Sequence, residues 1–257
     1  MAVSIPAALQ PVLGSKYPHR PRILYLLKRR EGVSDDAFEA ALGGWRQQWP
    51  YDVSFGSLVA RAGVGITDQQ EVISGRFRAG GIEVEPYDGY VSLDLECYAP
   101  TEADFACLFD SAKGCLDSLD GVIDKAETIA VAGVTNMVIP GTGPITMILV
   151  LDRVQSFTLE EYNHWWVHHS DDHRRFNPAQ LGYNQLHNAP EFNALAAAAA
   201  GTTTTPLCVF DIMYLADLHD GFPKPGGRSE EEARAMSMEI GQHVSFKTVN
   251  GSYFKEV

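Results

Sequence analysis

The segment TMILVLDRVQSFTLEEYNHWWVHHSDDHRR, residues 146–175, repeats the pattern of RILYLLKRREGVSDDAFEAALGGWRQQW, residues 22–49. Each segment begins with an apolar, strand-like run, continues through a short loop and then enters a pattern typical of a helix. The two helices start at Ser34 and at Thr158, and acidic residues follow each of these capping residues. Two copies of one strand–helix unit predict that the chain contains an internal repeat.

The rest of each copy extends the unit to a βαββαβ order. In the first half we predict strands near 57–62, 90–98 and 127–132 and a helix over 101–118. In the second half we predict strands near 181–187, 207–215 and 244–254 and a helix that begins at Ser229. The run PGTGP, residues 140–144, predicts a boundary between halves spanning 20–139 and 145–257. The low-complexity stretch 194–205 predicts a helical turn and a mobile loop without chemistry.

Alternating side chains predict how the two halves are arranged. Tyr90, Ser92, Asp94 and Glu96 alternate with apolar residues, so one face of this strand is polar and the other is apolar. Helices cover only one face of a four-stranded antiparallel sheet, and a second sheet within the chain can cover the other. We therefore predict an α+β fold in which two ferredoxin-like halves form one intramolecular pseudo-dimeric α/β barrel, with the polar faces as a cavity wall.

Composition narrows the functional classes. The chain has 257 residues, 45% of them hydrophobic and 21% charged, which is ordinary for a globular protein. Its net charge of −13 argues against a nucleic-acid partner, which a basic surface would bind.

No apolar run approaches the roughly 20 residues of a membrane span, and the N-terminus lacks a secretory pattern. The four cysteines show no CxxC spacing, so we expect a reducing, cytoplasmic location.

The helices of the two copies differ in one functional respect. The apolar stripe of the first helix consists of Phe38, Leu42, Trp45 and Trp49, and the matching stripe of the second consists of Tyr162, Trp166, His169 and His173. Two tryptophan positions have thus become histidines. A stripe that packs only against its own sheet does not need imidazoles, so the change indicates a polar pocket at that end of the helix.

Several polar side chains could join these histidines. Four of the eight histidines fall within residues 164–173, and Asp171 and Asp172 could orient one of them as a general base. Tyr183, Gln185 and His187 alternate along the next strand and therefore face the same way. The histidine pairs four residues apart have metal-ligand spacing, but no HExxH motif is present and no metal is predicted. A purely structural role for the cluster remains the alternative.

The segment FTLEEYNHWWVHH, residues 157–169, and GYNQLH, residues 182–187, resemble the EthD-like branch of the dimeric α/β barrel superfamily. The family histidine usually follows the first aromatic residue by eight positions, which is Ser170 here, so His168 and His169 both remain candidates for its role. The resemblance implies cofactor-free cyclisation, isomerisation, dehydration or oxygenation of hydrophobic ring compounds. The superfamily also contains haem proteins, including tandem ones of similar length with a histidine axial ligand in the second half.

From these observations we predict a cofactor-free lyase or isomerase that acts on a hydrophobic carbonyl compound such as a polyketide or an aromatic catabolite. His169 or His168 is the expected base, oriented by Asp171 or Asp172, and Tyr183 and His187 are expected to hydrogen-bond the developing enolate. The predicted substrate-binding residues are Tyr162, Trp165, Trp166, His173, Asp94 and Asp211. Two alternatives remain open, a haem enzyme with an axial histidine and a non-catalytic carrier of a hydrophobic metabolite; a homodimer is a further open question.

Overall fold

A computed structural model describes residues 3–49, 52–55, 58–67, 87–97, 99–176, 180–206, 209–216, 238, 242 and 244–256. The strands are β1 (His19–Leu27), β2 (Asp52–Phe55), β3 (Leu58–Thr67), β4 (Gly89–Leu95), β5 (Ile129–Ile139), β6 (Ile145–Arg153), β7 (Gly182–Asn188), β8 (Thr203–Thr204), β9 (Val209–Leu215) and β10 (Val244–Glu256). The helices are α1 (Gln10–Leu13), α2 (Asp35–Gln48), α3 (Glu102–Ser111), α4 (Leu159–Phe176) and α5 (Pro190–Ala200). The helix predicted from Ser229 lies outside the described residues. No helix in the described ranges is long and apolar enough to cross a membrane.

The strands close into a barrel. Their order is β1-β4-β3-β10-β6-β9-β7-β5, and β5 also pairs with β1, which completes the ring. All pairings within this ring are antiparallel, whereas β2 adds to β3 and β8 pairs with β5 in parallel outside it. Each half contributes four strands to the ring, and both halves have the same spatial order. The order is β5-β1-β4-β3 in the first half and β10-β6-β9-β7 in the second, so the last strand of each half lies beside its first strand. The predicted α+β barrel of two ferredoxin-like halves is confirmed.

The outer face of the first half forms the largest apolar core. Alternate residues of β1, among them Ile23 and Tyr25, pack there with the buried side of α2 and with the aromatic residues of α3 and α5. The rings of Phe105 and Phe192 lie 4.5 Å apart, and the Tyr25 hydroxyl donates a 3.1 Å hydrogen bond to the Ala196 carbonyl. Burial of apolar area at this scale is the main source of folding free energy.

Three sequence predictions about element lengths were wrong. In the stretch 194–205 the predicted helical turn is part of a longer helix, because its alanines belong to α5, whose buried face includes Ala196 and Ala200, and the predicted loop contains the short strand β8, which pairs with β5. Strand β5 runs on to Ile139 because its second part pairs with both β1 and β7 to close the barrel. Helix α3 ends at Ser111 rather than near residue 118, and Gly114, with φ of 66°, lies in the turn that follows.

The inside of the barrel has an apolar part and a polar part. Inward-facing residues of several strands form a buried apolar cluster that includes Leu24, Val131, Leu186 and Phe210. Along β1 the inward-facing side chain is Leu24 in the apolar part, and Arg22 and Arg20 face inward in the polar part. The neighbouring strand β4 supplies Asp94, and Glu96 follows at its end. The polar face predicted for Tyr90, Ser92, Asp94 and Glu96 therefore does line an internal cavity.

Candidate active site at helix α4 and strands β7 and β9

Helix α4 begins with the predicted capping box. The Thr158 backbone N–H donates to Glu161 Oε2 at 2.8 Å, and the Glu161 backbone N–H donates to Thr158 Oγ1 at 3.2 Å. These hydrogen bonds hold the pKa of Glu161 below its usual range. The reciprocal cap fixes where the helix starts, and the helical period then places Tyr162 and Trp166 on its buried side, with ring centroids 5.9 Å apart.

The sheet side of the site comes from β7. Tyr183, Gln185 and His187 share one face, as their spacing predicts, and this face is covered by α4. The Gln185 side-chain amide donates to the Trp166 carbonyl at 3.2 Å and to the Tyr183 hydroxyl at 3.1 Å. The strand and the helix are therefore joined by polar side chains as well as by packing.

Asp211 completes this network from β9. Its Oδ1 accepts a 3.0 Å hydrogen bond from the Tyr183 hydroxyl, and both side chains are buried. In the described part of the chain, no ion pair includes Asp211. Burial raises the pKa of the Asp211 carboxyl to about 7, although the hydrogen bond from Tyr183 partly opposes that rise. The carboxyl therefore exchanges its proton near neutral pH.

Tyr183 has the opposite character, since it keeps its proton. Burial, followed by the charge of Asp211, raises the pKa of the Tyr183 hydroxyl well above its usual value. A phenol that stays protonated can donate a hydrogen bond throughout the neutral range. The pair thus combines a carboxyl that can accept or release a proton with a permanent hydrogen-bond donor.

His187 is held as a neutral ring. Burial, with a smaller contribution from His19, lowers the pKa of the His187 imidazole to about 3. The Asn163 amide N–H donates to the Ala8 carbonyl at 2.7 Å, so the Asn163 oxygen faces His187 Nδ1 at 3.0 Å and accepts a hydrogen bond from it. Nε2 is then an acceptor without a hydrogen. In this tautomer Nε2 has no hydrogen to donate to an enolate, so these contacts do not support the role that we predicted for His187, which stays a prediction.

The two candidate bases on α4 lie in different surroundings. His169 is half-buried, and its ring stacks on Trp165 and Trp166 with centroid distances of 5.2 and 4.9 Å. His168 is exposed and meets His164 edge-on at 4.8 Å. Of the two, only His169 therefore borders the buried network.

The other acidic and histidine predictions on α4 fall where side chains are not described. The backbone of Asp171, Asp172 and His173 continues the helix, but these side chains lie outside the described residues. The orientation of His169 by one of the two aspartates therefore stays a prediction. Among the described residues, no group of three or more His, Cys, Asp or Glu is arranged to hold a metal ion.

Asp94 and Asp211, both predicted to bind the substrate, lie on opposite faces of the sheet and do not meet. Asp94 points into the barrel, where Arg22 contacts its two oxygens at 2.5 Å each. Asp211 points outward to α4, because it occupies the opposite parity on its strand. The alternation of side chains along a strand shows which residues share a face. Which of the two faces lies inside the barrel depends on where the helices pack, and the sequence of the strand does not give this.

Sequence reasoning missed Asn163 and the arginines at positions 20 and 22. Asn163 has no predicted role in the sequence, although its side chain fixes the His187 ring. The arginines were passed over as the entry to an apolar strand, although HRPRI places them on the same face two residues apart. That spacing was the available signal for Arg20 and Arg22, and both line the internal cavity.

The described residues do not fit a haem between α4 and the sheet. A porphyrin there would need an open slot and an imidazole aimed across it. Instead Tyr162 and Trp166 fill the buried face of α4, and Gln185 joins Trp166 directly to the strand. The ring of His169 lies flat against two indoles.

Comparisons with known proteins identify the fold. No protein-family model matches the sequence, and no curated protein matches it. A "putative monooxygenase" from Fusobacterium nucleatum subsp. nucleatum ATCC 25586 superposes with a TM-score of 0.52 at 7% identity, over 94% of this chain and 93% of that one. A "putative monooxygenase" from Lactobacillus acidophilus NCFM gives 0.49 at 9% identity, over 92% and 93%. A mutant chlorite dismutase from Candidatus Nitrospira defluvii gives 0.46 at 8% identity, over 95% and 93%.

These likenesses show a fold and no activity. The chain shares with the Fusobacterium protein an α+β fold with a closed antiparallel barrel. One fold of this kind supports many unrelated reactions, so the function has to be argued from the site. Membership of the EthD-like branch is not confirmed and stays a prediction.

Proposed function

We propose that this protein is a cofactor-free enzyme of the lyase or isomerase type that moves a proton on a hydrophobic carbonyl compound. Asp211 carries the proton and Tyr183 donates a hydrogen bond to the oxygen on which negative charge develops. The observation behind this proposal is the 3.0 Å contact between a buried carboxyl and a buried phenol. A carboxyl with a pKa of about 7 is well matched to acid–base work near neutral pH.

The proton transfer can be written with these two side chains. The Asp211 carboxylate takes a proton from the carbon next to the carbonyl, and the electron pair of that C–H bond moves to form the enolate. Once Asp211 is protonated, the Tyr183 hydroxyl, which had donated to its carboxylate, keeps its own proton and turns to donate a hydrogen bond to the enolate oxygen. Return of the proton from Asp211 to another carbon completes an isomerisation, whereas departure of a hydroxide leaving group with that proton completes a dehydration.

Apolar side chains packed next to the carboxyl suit a hydrophobic substrate. Leu149 pairs with Asp211 across two strands, and its side chain is only partly buried. Met147 and Met213 extend the same outer-face cluster, to which Tyr183 also belongs. The resemblance of residues 157–169 to the EthD-like family supports the same substrate class, and Trp165, Trp166 and His169 are proposed as its wall.

The proposal is tested by proton exchange, which does not require the natural substrate. A panel of hydrophobic ketones and lactones is incubated with the protein in D₂O, and deuterium uptake next to the carbonyl is followed by NMR. We expect Asp211→Asn to reduce exchange by about 100-fold or more, as loss of a general base does. Tyr183→Phe should cost about 100-fold through loss of the enolate donor. Exchange by wild-type protein should rise with pH through about 7.

A matched control is Asp110→Asn, since Asp110 is exposed and forms only a surface ion pair with Lys113. This variant should exchange at the wild-type rate. Full exchange by Asp211→Asn would refute the assignment of the proton carrier. If the wild-type protein binds a ketone tightly but catalyses no deuterium exchange, the protein is a carrier and not an enzyme.

A further inference from the structure

The inside of the barrel contains a second polar site, separate from Asp211. A cavity of about 460 Å³ lies at the end where β1 begins and is bordered by the loop between β5 and β6. Its volume falls in the range of small-molecule sites. The polar lining residues are Arg20, Arg22, Tyr90, Ser92, Asp94, Glu96, Thr142, Asn184 and Tyr214. The network around Asp211 is on the opposite face of the sheet and uses none of these side chains.

One ion pair in this cavity is already complete. Arg22 Nε and Nη2 contact Asp94 Oδ1 and Oδ2 at 2.5 Å each, and both side chains are buried. The bidentate geometry uses both oxygens of the carboxylate and cancels its charge. Tyr214 lines the same cavity as this ion pair. This pair shapes the cavity but leaves little for a ligand to bind.

Arg20 differs, because one of its donors is unused. Its Nη2 donates to Glu96 Oε1 at 3.0 Å, whereas its Nε, buried from solvent, has no hydrogen-bond partner among the described residues. The Arg20 side chain is only 9% exposed, while that of Glu96 is 29% exposed. A buried donor without a partner costs free energy, which a ligand oxygen at this position would recover.

The remaining wall is apolar and leaves room for a compact body. Pro18, Met137, Pro140 and Ala62 line the cavity, and Gly63 has no side chain to project into it. A Cβ on Gly63 would come within 2.7 Å of the Ser92 hydroxyl, so a larger residue would narrow this space. The cavity thus combines one unused cationic donor with an apolar surface.

We propose that this cavity binds a small carboxylate with an apolar body, and that Arg20 Nε is the donor to the ligand carboxylate. A carboxylate matches the planar guanidinium, and a charge-assisted hydrogen bond is stronger than one to a neutral oxygen. Asp94 does not compete for Arg20, since Arg22 already holds it. Glu96 does compete, because it occupies the neighbouring nitrogen of the same guanidinium.

Calorimetric titration of the full chain with benzoate and with neutral benzamide tests the site. We expect benzoate to bind more tightly than benzamide. Arg20→Met should weaken benzoate binding by about 10-fold to 100-fold, as loss of a charged hydrogen bond does. Glu96→Gln should tighten it several-fold, because the competing charge is gone. Arg20→Lys, which keeps the charge without the Nε donor, should also weaken it, and circular dichroism checks that each variant is folded.

The same titration on Asp211→Asn separates this site from the proposed active site. Benzoate affinity should not change in that variant, because Asp211 faces α4 and not the barrel. The proposal is overturned if benzoate does not bind, if benzamide binds equally well, or if folded Arg20→Met and Arg20→Lys both keep wild-type affinity. Loss of benzoate binding in Asp211→Asn but not in Arg20→Met would place the carboxylate at the outer site instead.

Discussion

The buried carboxyl of Asp211 makes a specific prediction about stability and pH. In the folded protein its pKa is about 7, against an ordinary value of 3.8 in the unfolded chain. Between these two pH values the folded state holds a proton that the unfolded state has released. The free energy of unfolding contributed by this group is therefore fully present below pH 3.8 and is lost as the pH rises to about 7.

The size of the effect follows from the two pKa values. A difference of about three units corresponds to about 4 kcal/mol, which is an upper value for such a group. Asparagine keeps the size of the side chain and an oxygen for the Tyr183 hydroxyl, but it cannot ionise. We expect Asp211→Asn to be more stable than the wild-type protein at pH 8, with an advantage that shrinks towards zero by pH 4.

The measurement is urea unfolding of both proteins at a series of pH values, followed by tryptophan fluorescence. The comparison uses the difference between the two proteins, because His187 acts with the opposite sign. Its folded pKa of about 3 lies below the ordinary 6.5, so its contribution is present above pH 6.5 and is lost as the pH falls towards 3. This contribution cancels between variant and wild type. A stability difference that is the same at pH 4 and pH 8 would show that Asp211 ionises normally and would remove the chemical basis of its proposed role.

Three further predictions concern the frame around the two sites. Asp94→Asn should lower the free energy of unfolding by about 3–5 kcal/mol, because it leaves the buried charge of Arg22 uncompensated; a denaturant titration that shows less than 1 kcal/mol would contradict this. Gly133→Ala should destabilise strongly in a thermal melt, since its Cβ would lie 1.9 Å from a backbone carbonyl of β7, whereas Gly44→Ala meets nothing within 4 Å and should be neutral or stabilising. Phe192→Ala should cost about 3–5 kcal/mol in chemical unfolding, and a smaller loss would mean that α5 is not part of the main core.

The repeat and the strand patterns predicted most of the fold, because both depend on local chemistry. Ser34 and Thr158 cap helices in the structure as their sequence context indicates. The shared face of Tyr183 and His187 follows from the two-residue period of a strand. The length of β5 was not predictable in this way, since its last residues are stabilised by a strand from the other half of the chain.

The candidate site was predicted less completely for a related reason. The histidines of α4 stand out in the sequence, yet the buried carboxyl whose pKa is strongly raised on this face is Asp211, a lone acid within an apolar strand. Its character depends on burial by α4 and on the hydroxyl of Tyr183, neither of which is near it in sequence. The neutral state of His187 likewise depends on Asn163, fixed by an N-terminal carbonyl far away in the chain.

The two halves differ in whether their outer face contains buried ionisable side chains, which lower the free energy of unfolding. On the first half the outer face is a continuous apolar core, and the indole of Trp45 is satisfied by the Cys115 carbonyl at 2.6 Å. On the second half the equivalent face contains Asp211 without an ion-pair partner among the described residues and a neutral buried His187. Barrel closure joins the halves through β3 with β10 and β5 with β7. The apolar half can therefore offset the destabilisation of the polar half, and this is why we expect Asp211→Asn to raise stability near pH 8 while it reduces proton exchange by about 100-fold or more.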